Sequence, residues 1–385
     1  DSVASAIIGN LPLVREPGIA WYGNEQFEEE QWAIFGEFGF DITEKFNALV
    51  GFRYFESEQE TSLVTLNADG ARPQTCLEDA VYNAYVAYCV TNPGAVDAFN
   101  RLGLLPATTS ASDSGLLPLL TLTYEFNDDV LAYYTRSEGF RTGGANNLRA
   151  SSGANRQYKA DILINNEIGV KSTWLDGRLV LNAAAFLMTW EDIQLVAADP
   201  TISFGWGQVT VNAGEAEIKG IESNFAFEAT ENFSIDGSLS YIDAEITEGA
   251  SIGSTVVVSD GEELPLSPDW KINLGAEYGF QVPNLDSDGY VRFEYSYVDE
   301  QTNATQGSAL LTSSDLLRTT GGVVQPSYDT GNIRVGIEND SWTASLSVTN
   351  IWDERGVTYI PTRWTDGRQY VVRPREFTVN FRKNF

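Results

Sequence analysis

The protein has 385 residues, of which 54 are acidic and 24 basic, giving a formal net charge of -30. A chain this acidic repels phosphate backbones and anionic surfaces, which argues against nucleic-acid binding. No apolar run approaches the roughly 18 residues of a transmembrane helix. Aromatic residues make up 12% of the chain and there are 34 glycines, a composition that favours β-strands.

The chain opens with a predicted loop at residues 1–27, with no signal peptide and no initial methionine, so we expect a processed or truncated start. Two strands are predicted next, at 30–42 and 46–66, and a long link at 67–114 follows. Cys76 and Cys89 lie in this link. We expect a local disulfide and an oxidising compartment, with two free thiols as the alternative. No metal site is expected, because histidine and further cysteines are lacking.

Strict alternation of apolar and polar residues predicts the later strands. In residues 233–241, Phe233, Ile235, Leu239 and Tyr241 share one face, and polar side chains occupy the other. The same pattern recurs at 270–280, 291–297 and 342–348. We predict about thirteen strands in all, at 30–42, 46–66, 115–126, 130–142, 162–174, 178–194, 208–229, 232–246, 264–280, 289–303, 328–338, 341–352 and 370–385.

The connections between these strands alternate in length. Short turns separate the two strands of each pair, whereas the links at 67–114, 143–161, 195–207, 247–263, 304–327 and 353–369 are long. Soluble sheets also have an apolar and a polar face. Segregation of loop length, long strands and aromatic strand ends are, however, typical of outer-membrane barrels with short periplasmic turns. The predicted fold is therefore an all-β transmembrane antiparallel β-barrel with extracellular long loops.

An odd number of strands predicts that the chain starts outside the cell and ends in the periplasm. Single-chain bacterial barrels have an even number of strands, because an odd antiparallel set cannot close without a parallel seam. If closure takes about 22 strands, some nine come from elsewhere. A self-contained barrel of about 12 or 14 strands, with one strand miscounted, is the alternative.

Six segments resemble the C-terminal barrel region of TonB-dependent outer-membrane receptors, and they occur in the order of that family. An earlier strand pair at residues 28–60 is also similar to this barrel. The six segments are YYTRSEGFRTGGANN (133–147), NNEIGVKSTWLDGRLVLNAAAFLMTWEDIQL (165–195), VNAGEAEIKGIESNFAFEAT (211–230), LPLSPDWKINLGAEY (264–278), LSVTNIWDERGVTYI (346–360) and REFTVNFRKNF (375–385).

The resemblance implies a barrel of about 22 strands, closed by an N-terminal plug and preceded by a short box that recruits TonB. We therefore expect a loop at 1–27 and, at 28–385, the C-terminal portion of the barrel with its turns and loops. A separate N-terminal polypeptide would carry the plug and the remaining strands. The partners implied are this polypeptide, the TonB complex, the barrel-assembly machinery and outer-membrane lipid or lipopolysaccharide.

The resemblance also implies a function: TonB-dependent active import of a scarce, bulky nutrient, above all a ferric siderophore, across the bacterial outer membrane. This requires no enzymatic chemistry and no cofactor. A passive porin or substrate channel is one alternative, and a surface scaffold or adhesin is another. A hydrolase is disfavoured, because the chain has no histidine to activate a serine nucleophile.

Ligand contacts are predicted on the long loops and the upper lumen. Arg141, Trp206, Arg363 and Trp364 offer cationic and aromatic groups for a chelate. The alternative is that they are ordinary loop residues.

The last strand ends on an aromatic residue. Phe377, Val379, Phe381 and Phe385 share one parity, which predicts a lipid-facing stripe. An alternating terminal strand that ends in Phe also resembles the signal read by the barrel-assembly machinery.

Overall fold

The computed structural model describes residues 21–67, 107–146, 157–198, 208–212, 214–252, 255–305, 323–361 and 368–383. Most of these residues are in strands, with one short 3₁₀ turn at Pro283–Leu285. Within these ranges, no helix has the length and hydropathy needed to cross a lipid bilayer.

Thirteen strands form one antiparallel sheet in which each strand pairs with its neighbours in the chain. This confirms the predicted fold class and the number of strands. In a numbering that includes the short strands described below, they are β1 (Trp21–Thr43), β2 (Phe46–Asn67), β3 (Ala107–Asn127), β4 (Val130–Arg141), β7 (Asp161–Trp174), β8 (Leu179–Glu191), β11 (Glu215–Thr230), β12 (Phe233–Glu248), β15 (Trp270–Val282), β16 (Ser287–Val298), β19 (Tyr328–Glu338), β20 (Trp342–Thr349) and β23 (Glu376–Lys383).

The two ends of the sheet differ. At one end, the short-turn end, strands are joined by tight turns such as that at 175–178, where Gly177 has φ 92°. A positive φ is readily adopted by glycine. At the opposite, long-loop end, the described parts of the links form five small hairpins: β5 (Gly144–Ala145) with β6 (Gln157–Tyr158), β9 (Gln194–Ala198) with β10 (Gln208–Asn212), β13 (Ala250–Ile252) with β14 (Thr255–Val258), β17 (Gln301–Thr302) with β18 (Val324–Gln325), and β21 (Val357–Tyr359) with β22 (Tyr370–Val371).

One face of the sheet is apolar and exposed. On β23, the predicted stripe of Phe377, Val379 and Phe381 is 69%, 80% and 68% exposed. In the register these residues lie opposite Val348, Leu346 and Ala344 of β20. Similar apolar side chains continue across the sheet, among them Phe38, Val50, Leu116, Ile168, Ile221, Leu274 and Val335. A continuous exposed apolar face is the lipid-facing surface of a membrane barrel.

The opposite face is polar. One row of directly paired residues crosses seven strands, from β7 to β19, without an apolar side chain. Its members are hydrogen-bonded to one another at three places: Asn182 to Asn224, Asn273 to Ser238 and Ser296 to Asn273. The row consists of Lys171, Asn182, Asn224, Ser238, Asn273, Ser296 and Thr330.

An arginine on this polar face reaches across a whole strand. Arg292 of β16 donates from Nη1 and Nη2 to the two carboxylate oxygens of Asp236 on β12, at 2.9 and 3.1 Å. It also donates from Nε to Glu294, at 2.9 Å. The strand between them, β15, has Gly275 at the crossing point, where a Cβ would lie 2.6 Å from Arg292 Nη2. A side chain at this position would block the ion pair.

The long-loop end has its own small apolar core beneath the hairpins. Ile193, Ile246, Val257 and Val258 are at most 1% exposed, and Ala216, Ala244 and Leu264 complete the cluster. Burial of each large aliphatic side chain contributes about 1.5–3 kcal/mol. Strands and hairpins are therefore packed together here much as in a soluble protein.

Several strand bounds differ from the prediction. β1 begins at Trp21, inside the stretch predicted as a loop, and β3 begins at Ala107. Where a strand extends beyond the lipid, neither of its faces needs to be apolar. The sequence therefore need not alternate there, and the strand is hard to predict. The strand predicted at 208–229 is divided into β10 and β11. Gly214 between them has φ 73°, and a Cβ there would lie 1.8 Å from the carbonyl oxygen of Glu248.

Candidate functional site

Two hairpins at the long-loop end are fastened to each other by side-chain amides. Asn146, next to β5, donates to the carbonyl of Thr210 in β10 and accepts its N–H, both at 2.6 Å. Asn212 in β10 accepts from the N–H of Lys159 at 2.7 Å and donates to its carbonyl at 2.9 Å. These bonds satisfy backbone N–H and C=O groups that have no partner in a β-ladder on that side. They fix hairpin β9–β10 against hairpin β5–β6.

A buried carboxylate anchors the same region to the sheet. Asp161, at the start of β7, accepts from the backbone N–H and Nε of Arg141, at 3.2 and 2.9 Å, and from its Nη2. It also accepts from Trp190 Nε1 at 3.0 Å and from the N–H of Gln194 at 3.2 Å. Asp161 is 1% exposed. One side chain thus joins β4, β7, β8 and β9.

A cavity of ≈ 600 Å³ lies between these hairpins and the upper ends of β2, β3 and β4. We call it the aromatic cavity. Phe55 and Phe140 line it and are stacked on each other, with ring centroids 3.5 Å apart. Tyr158 and Lys159 also line it. The Lys159 ammonium has no ion pair or hydrogen bond within the described ranges, so it is available to an anionic group.

The walls of the aromatic cavity are held by further side-chain bonds. The carboxylate of Asp113 accepts the N–H of Ala160 at 2.7 Å and that of Ser114 at 2.8 Å. Gln59 accepts the N–H of Ala145 at 2.8 Å. The cavity is therefore largely preformed, which reduces the entropy lost when a ligand binds.

A second cavity, of ≈ 830 Å³, adjoins the first and shares three lining residues with it. We call it the acidic cavity. It is lined by Glu28, Glu29 and Glu30 of β1 and by Glu58 and Glu60 of β2, and its described lining contains no lysine or arginine. Burial raises the pKa of the nearby Tyr158 phenol, the charge of Arg141 lowers it, and Glu29 raises it. Glu29, which lies opposite Gln59 in the register, is therefore the glutamate of this group whose charge reaches the aromatic cavity, whereas Glu28, Glu30, Glu58 and Glu60 lie on the other face of the two strands.

A further carboxylate, at the same end of the sheet, holds the described part of the link between β20 and β23 in place. Asp353 accepts the N–H of Arg375 at 2.9 Å and is 3.4 Å from Arg355 Nη2. The hydrogen bond from Arg375 holds the pKa of Asp353 below its usual range, and the arginine charges add to this. Asn350 donates to the carbonyls of Glu354 and Arg373, at 2.9 and 2.8 Å.

Of the residues predicted to contact a ligand, Arg141 lies at this end, on β4 beside the aromatic cavity. Its guanidinium is held by Asp161 and lies 4.9 Å from the centroid of the Trp190 ring. The predicted contacts at Trp206, Arg363 and Trp364 lie outside the described residues, as do the predicted disulfide at Cys76 and Cys89 and the terminal Phe385. In the part that is described, no group of three or more Cys, Asp or Glu residues is placed to hold a metal ion.

The residues that form the two cavities were not predicted from the sequence. Phe55 and Phe140 lie on different strands and are more than eighty residues apart in the chain. Lys159 and Tyr158 lie in a link where no periodicity is visible. The run of glutamates at 28–30 was the one local signal.

The apolar outer face, the polar inner face and the alternation of short turns with long loops define a membrane β-barrel of the outer-membrane type. Residues 15–351 match the family described as "TonB dependent receptor-like, beta-barrel". The chain belongs to this family of transport receptors, whose barrels are outer-membrane proteins.

Known relatives agree with this assignment. The chain is 24% identical over 273 residues to the metal-pseudopaline receptor CntO of Pseudomonas aeruginosa, covering 70% of this chain and 33% of that protein. It is 22% identical over 311 residues to the ferric-pyoverdine M114 receptor PbuA of Pseudomonas sp. (strain M114), covering 79% and 34%. The chain spans about a third of the length of these curated relatives.

Among solved structures, the ferric yersiniabactin uptake receptor FyuA from Yersinia pestis is similar in fold, with a TM-score of 0.71 at 17% identity. The match covers 95% of this chain and 47% of that one.

Proposed function

We propose that this chain forms part of a receptor that imports a metal chelate, in the first place a ferric siderophore, across the bacterial outer membrane with energy supplied through TonB. The observation that carries the proposal is membership of the TonB-dependent receptor family over residues 15–351. Two similar proteins, by their names, bind metal chelates. The preformed cavities at the long-loop end provide a place of suitable size for such a ligand.

The proposed orientation has the long-loop end outside the cell and the end of β23 in the periplasm. In this arrangement the cavities open toward the medium, and the polar face lines the lumen. Chelate contacts at Arg141, Trp206, Arg363 and Trp364 remain part of the proposal. For Arg141, whose guanidinium is engaged by Asp161, the contact is through its 51% exposed outer surface.

The two edge strands of the sheet support the proposal of a further partner chain. Within the described ranges β1 pairs only with β2, and β23 only with β20. Because β1 and β23 are the first and last of thirteen antiparallel strands, they run in the same direction and cannot close the sheet antiparallel to each other. Unpaired backbone groups in lipid are costly. We therefore include in the proposal additional barrel strands, with a plug, on an N-terminal polypeptide, and insertion by the barrel-assembly machinery into lipid and lipopolysaccharide.

Uptake of radiolabelled iron complexes tests the function. Bacteria that carry the gene should accumulate at least one chelate that a deletion strain does not, and accumulation should stop when TonB is removed or the proton gradient is collapsed. Equal accumulation in the two strains over a broad set of iron chelates would contradict the proposal. Accumulation that depends on the gene but continues without TonB would indicate a passive channel.

A further inference from the structure

Strand β3 is paired unevenly with its two neighbours. On one side it is paired with β2 from Ala107 to Tyr124. On the other side it is paired with β4 from Leu119 to Asn127. Residues 107–118 therefore have no ladder partner on the β4 side within the described ranges, and the upper parts of β3 and β4 leave a gap between them.

Pro118 explains where the pairing with β4 ends. The N–H of Glu125 donates to the carbonyl of Lys45, and the register of β3 with β2 has no shift. The odd-numbered residues of β3 therefore bond to β2, and the even-numbered ones point their N–H and C=O groups toward β4. Pro118 is the first even-numbered residue above the β4 ladder, and it has no N–H to donate. Proline at this position leaves the pairing with β2 intact and frees the edge above it.

The backbone groups of this edge are only partly used. The N–H of Ser114 donates to the carboxylate of Asp113 at 2.8 Å. The edge-facing N–H and C=O groups of Ser112 and Leu116, in contrast, have no partner in the part of the chain that the structure describes. Ser112 and Leu116 are four residues apart, which is about 13 Å along a strand. The edge therefore offers two complete donor–acceptor pairs at the spacing of a β-ladder.

The aromatic cavity lies along this free edge. It is lined by seven consecutive residues of β3, at 111–117. Consecutive strand residues point to opposite faces, so a cavity lined by all seven faces the edge of the strand. Phe55 of β2 passes over Gly115, where a Cβ would lie 2.8 Å from its ring, and stacks on Phe140 of β4. The two rings bridge the gap and give the cavity an apolar floor.

A cation lies beside the edge. Lys159 lines the aromatic cavity, and its ammonium has no ion pair or hydrogen bond among the described residues. Its backbone is held by Asn212, and the next residue, Ala160, donates its N–H to Asp113 of β3 at 2.7 Å. Asp113 is the one acidic residue in the described lining, and both of its oxygens accept backbone N–H groups. A carboxylate on a ligand can therefore be received by Lys159 at a defined distance along the edge.

We propose that the free edge of β3 binds the peptide backbone of the imported chelate as an added strand, with a carboxylate of the ligand on Lys159. The backbone groups of Ser112 and Leu116 pair with peptide groups of the ligand, and its side chains pack on the floor formed by Phe55 and Phe140. An added strand gains affinity from main-chain hydrogen bonds and selectivity from the pockets beside the edge. The inference rests on the proposed uptake function and assigns its substrate class: metal chelates built on a short, extended peptide.

The test compares two iron(III) complexes of a linear peptide that carries three hydroxamate side chains and a free C-terminal carboxylate. In the second complex the backbone nitrogens are methylated, so they cannot donate hydrogen bonds, while the charge is the same. Equilibrium binding is measured on outer-membrane vesicles from the bacterium that carries the protein, with vesicles from a deletion strain as background. The unmethylated complex should bind at least about tenfold more tightly, because it alone can donate to the edge. Equal binding, or binding of neither complex, overturns the proposal.

Ser112→Pro removes a donor from the edge, keeps the pairing with β2 and blocks the approach of a strand, so it should bring the two affinities together. Asp128→Pro, in the tight turn that follows β3 at the short-turn end, is the matched control and should leave their ratio unchanged. Equal amounts of each variant in the outer membrane show that the barrel still assembles. A preference that survives Ser112→Pro overturns the proposal. If this variant does not assemble, the comparison of the two complexes on the unaltered protein decides.

Lys159 is tested with a third probe, the unmethylated complex with its C-terminal carboxylate converted to an amide. The amide should bind more weakly than the carboxylate to the unaltered protein, and Lys159→Gln should abolish the difference. Equal binding of the two forms to the unaltered protein overturns the contact with Lys159. TonB-dependent uptake restricted to chelates without peptide groups would overturn the inference and leave the proposed transport function standing. A preference for the peptide backbone without TonB dependence, in contrast, counts against the transport function alone.

Discussion

Replacing Gly275 with alanine should destabilise the barrel by breaking the ion pair that passes over it. A Cβ at this position would lie 2.6 Å from Arg292 Nη2 and 2.7 Å from Asp236 Oδ2. Gly275 is not among the glycines with positive φ, so alanine meets no backbone strain and only the side-chain collision remains. Both atoms lie at the ends of flexible, partly exposed side chains, which can move aside, so the cost is the loss of the ion pair rather than of core packing.

The ion pair itself is worth little. The side chain of Asp236 is 45% exposed and that of Arg292 26%, so solvent screening limits the pair to at most about 1 kcal/mol. The expected cost is therefore at most about 1 kcal/mol in the free energy of unfolding.

Gly279→Ala provides the matched control. Gly279 lies four residues further along the same strand and on the same face, and the nearest atoms to a Cβ there are 3.9 Å away. Its φ is also not positive. Alanine at 279 should be neutral or stabilise by up to about 1 kcal/mol, because it restricts the unfolded chain.

Urea unfolding of the detergent-purified protein, followed by tryptophan fluorescence and by gel mobility without heating, measures both variants. In an Arg292→Ala background the collision partner is absent, so Gly275→Ala should lose most of its cost. If Gly275→Ala is as harmless as Gly279→Ala, or costs the same with and without the arginine, the role assigned to the glycine is wrong.

Three further predictions concern other parts of the sheet. Val379→Arg, on the lipid-facing stripe, should destabilise the barrel by about 2–4 kcal/mol in urea unfolding, whereas Asn380→Arg on the polar face should cost far less. Asp161→Asn cannot accept every donor that now converges on the carboxylate, so proteolysis of the links at 142–160 and 192–214 should be faster, for an expected loss of about 1–3 kcal/mol. The lowered pKa of Asp353 in the folded state means that its stabilisation is complete above the unfolded pKa of about 3.9 and is lost as the pH falls through the lower folded value. Proteolysis of the 350–375 link should therefore accelerate below about pH 4, and less so in Asp353→Asn.

Each of these has a result that would contradict it. Equal losses for arginine at 379 and 380 would mean that the two faces are wrongly assigned. Unchanged cleavage of both links in Asp161→Asn would show that Asp161 does not hold them. An acid-induced opening of the 350–375 link that is the same in Asp353→Asn would exclude this carboxyl as its cause.

The faces and the order of the strands could be predicted because each membrane-crossing strand meets lipid on one side. That requirement imposes alternation, as in the residues Phe377, Val379 and Phe381, which lie in register with the apolar Val348, Leu346 and Ala344 of β20. Where strands continue beyond the lipid, the requirement ends, and the starts of β1 and β3 were missed for that reason.

The candidate site could not be predicted in the same way. Its cavities depend on contacts between segments far apart in the chain, such as Gln59 with Ala145 and Asn146 with Thr210. The sequence marked Arg141 as a cation for a ligand. It gave no sign that Asp161, directly opposite in the register, already binds that guanidinium.

The like-charged glutamate pairs at the top of the β1–β2 hairpin have a mechanical consequence. Glu28 against Glu60 and Glu30 against Glu58 push the two strands apart. Immediately below them, the rings of Trp32 and Tyr54 pack with centroids 5.5 Å apart. The pairing of β1 with β2 should therefore depend on ionic strength: in dilute buffer the ladder opens from the strand ends at Trp21 and Asn67 toward the aromatic pair, and in salt it closes.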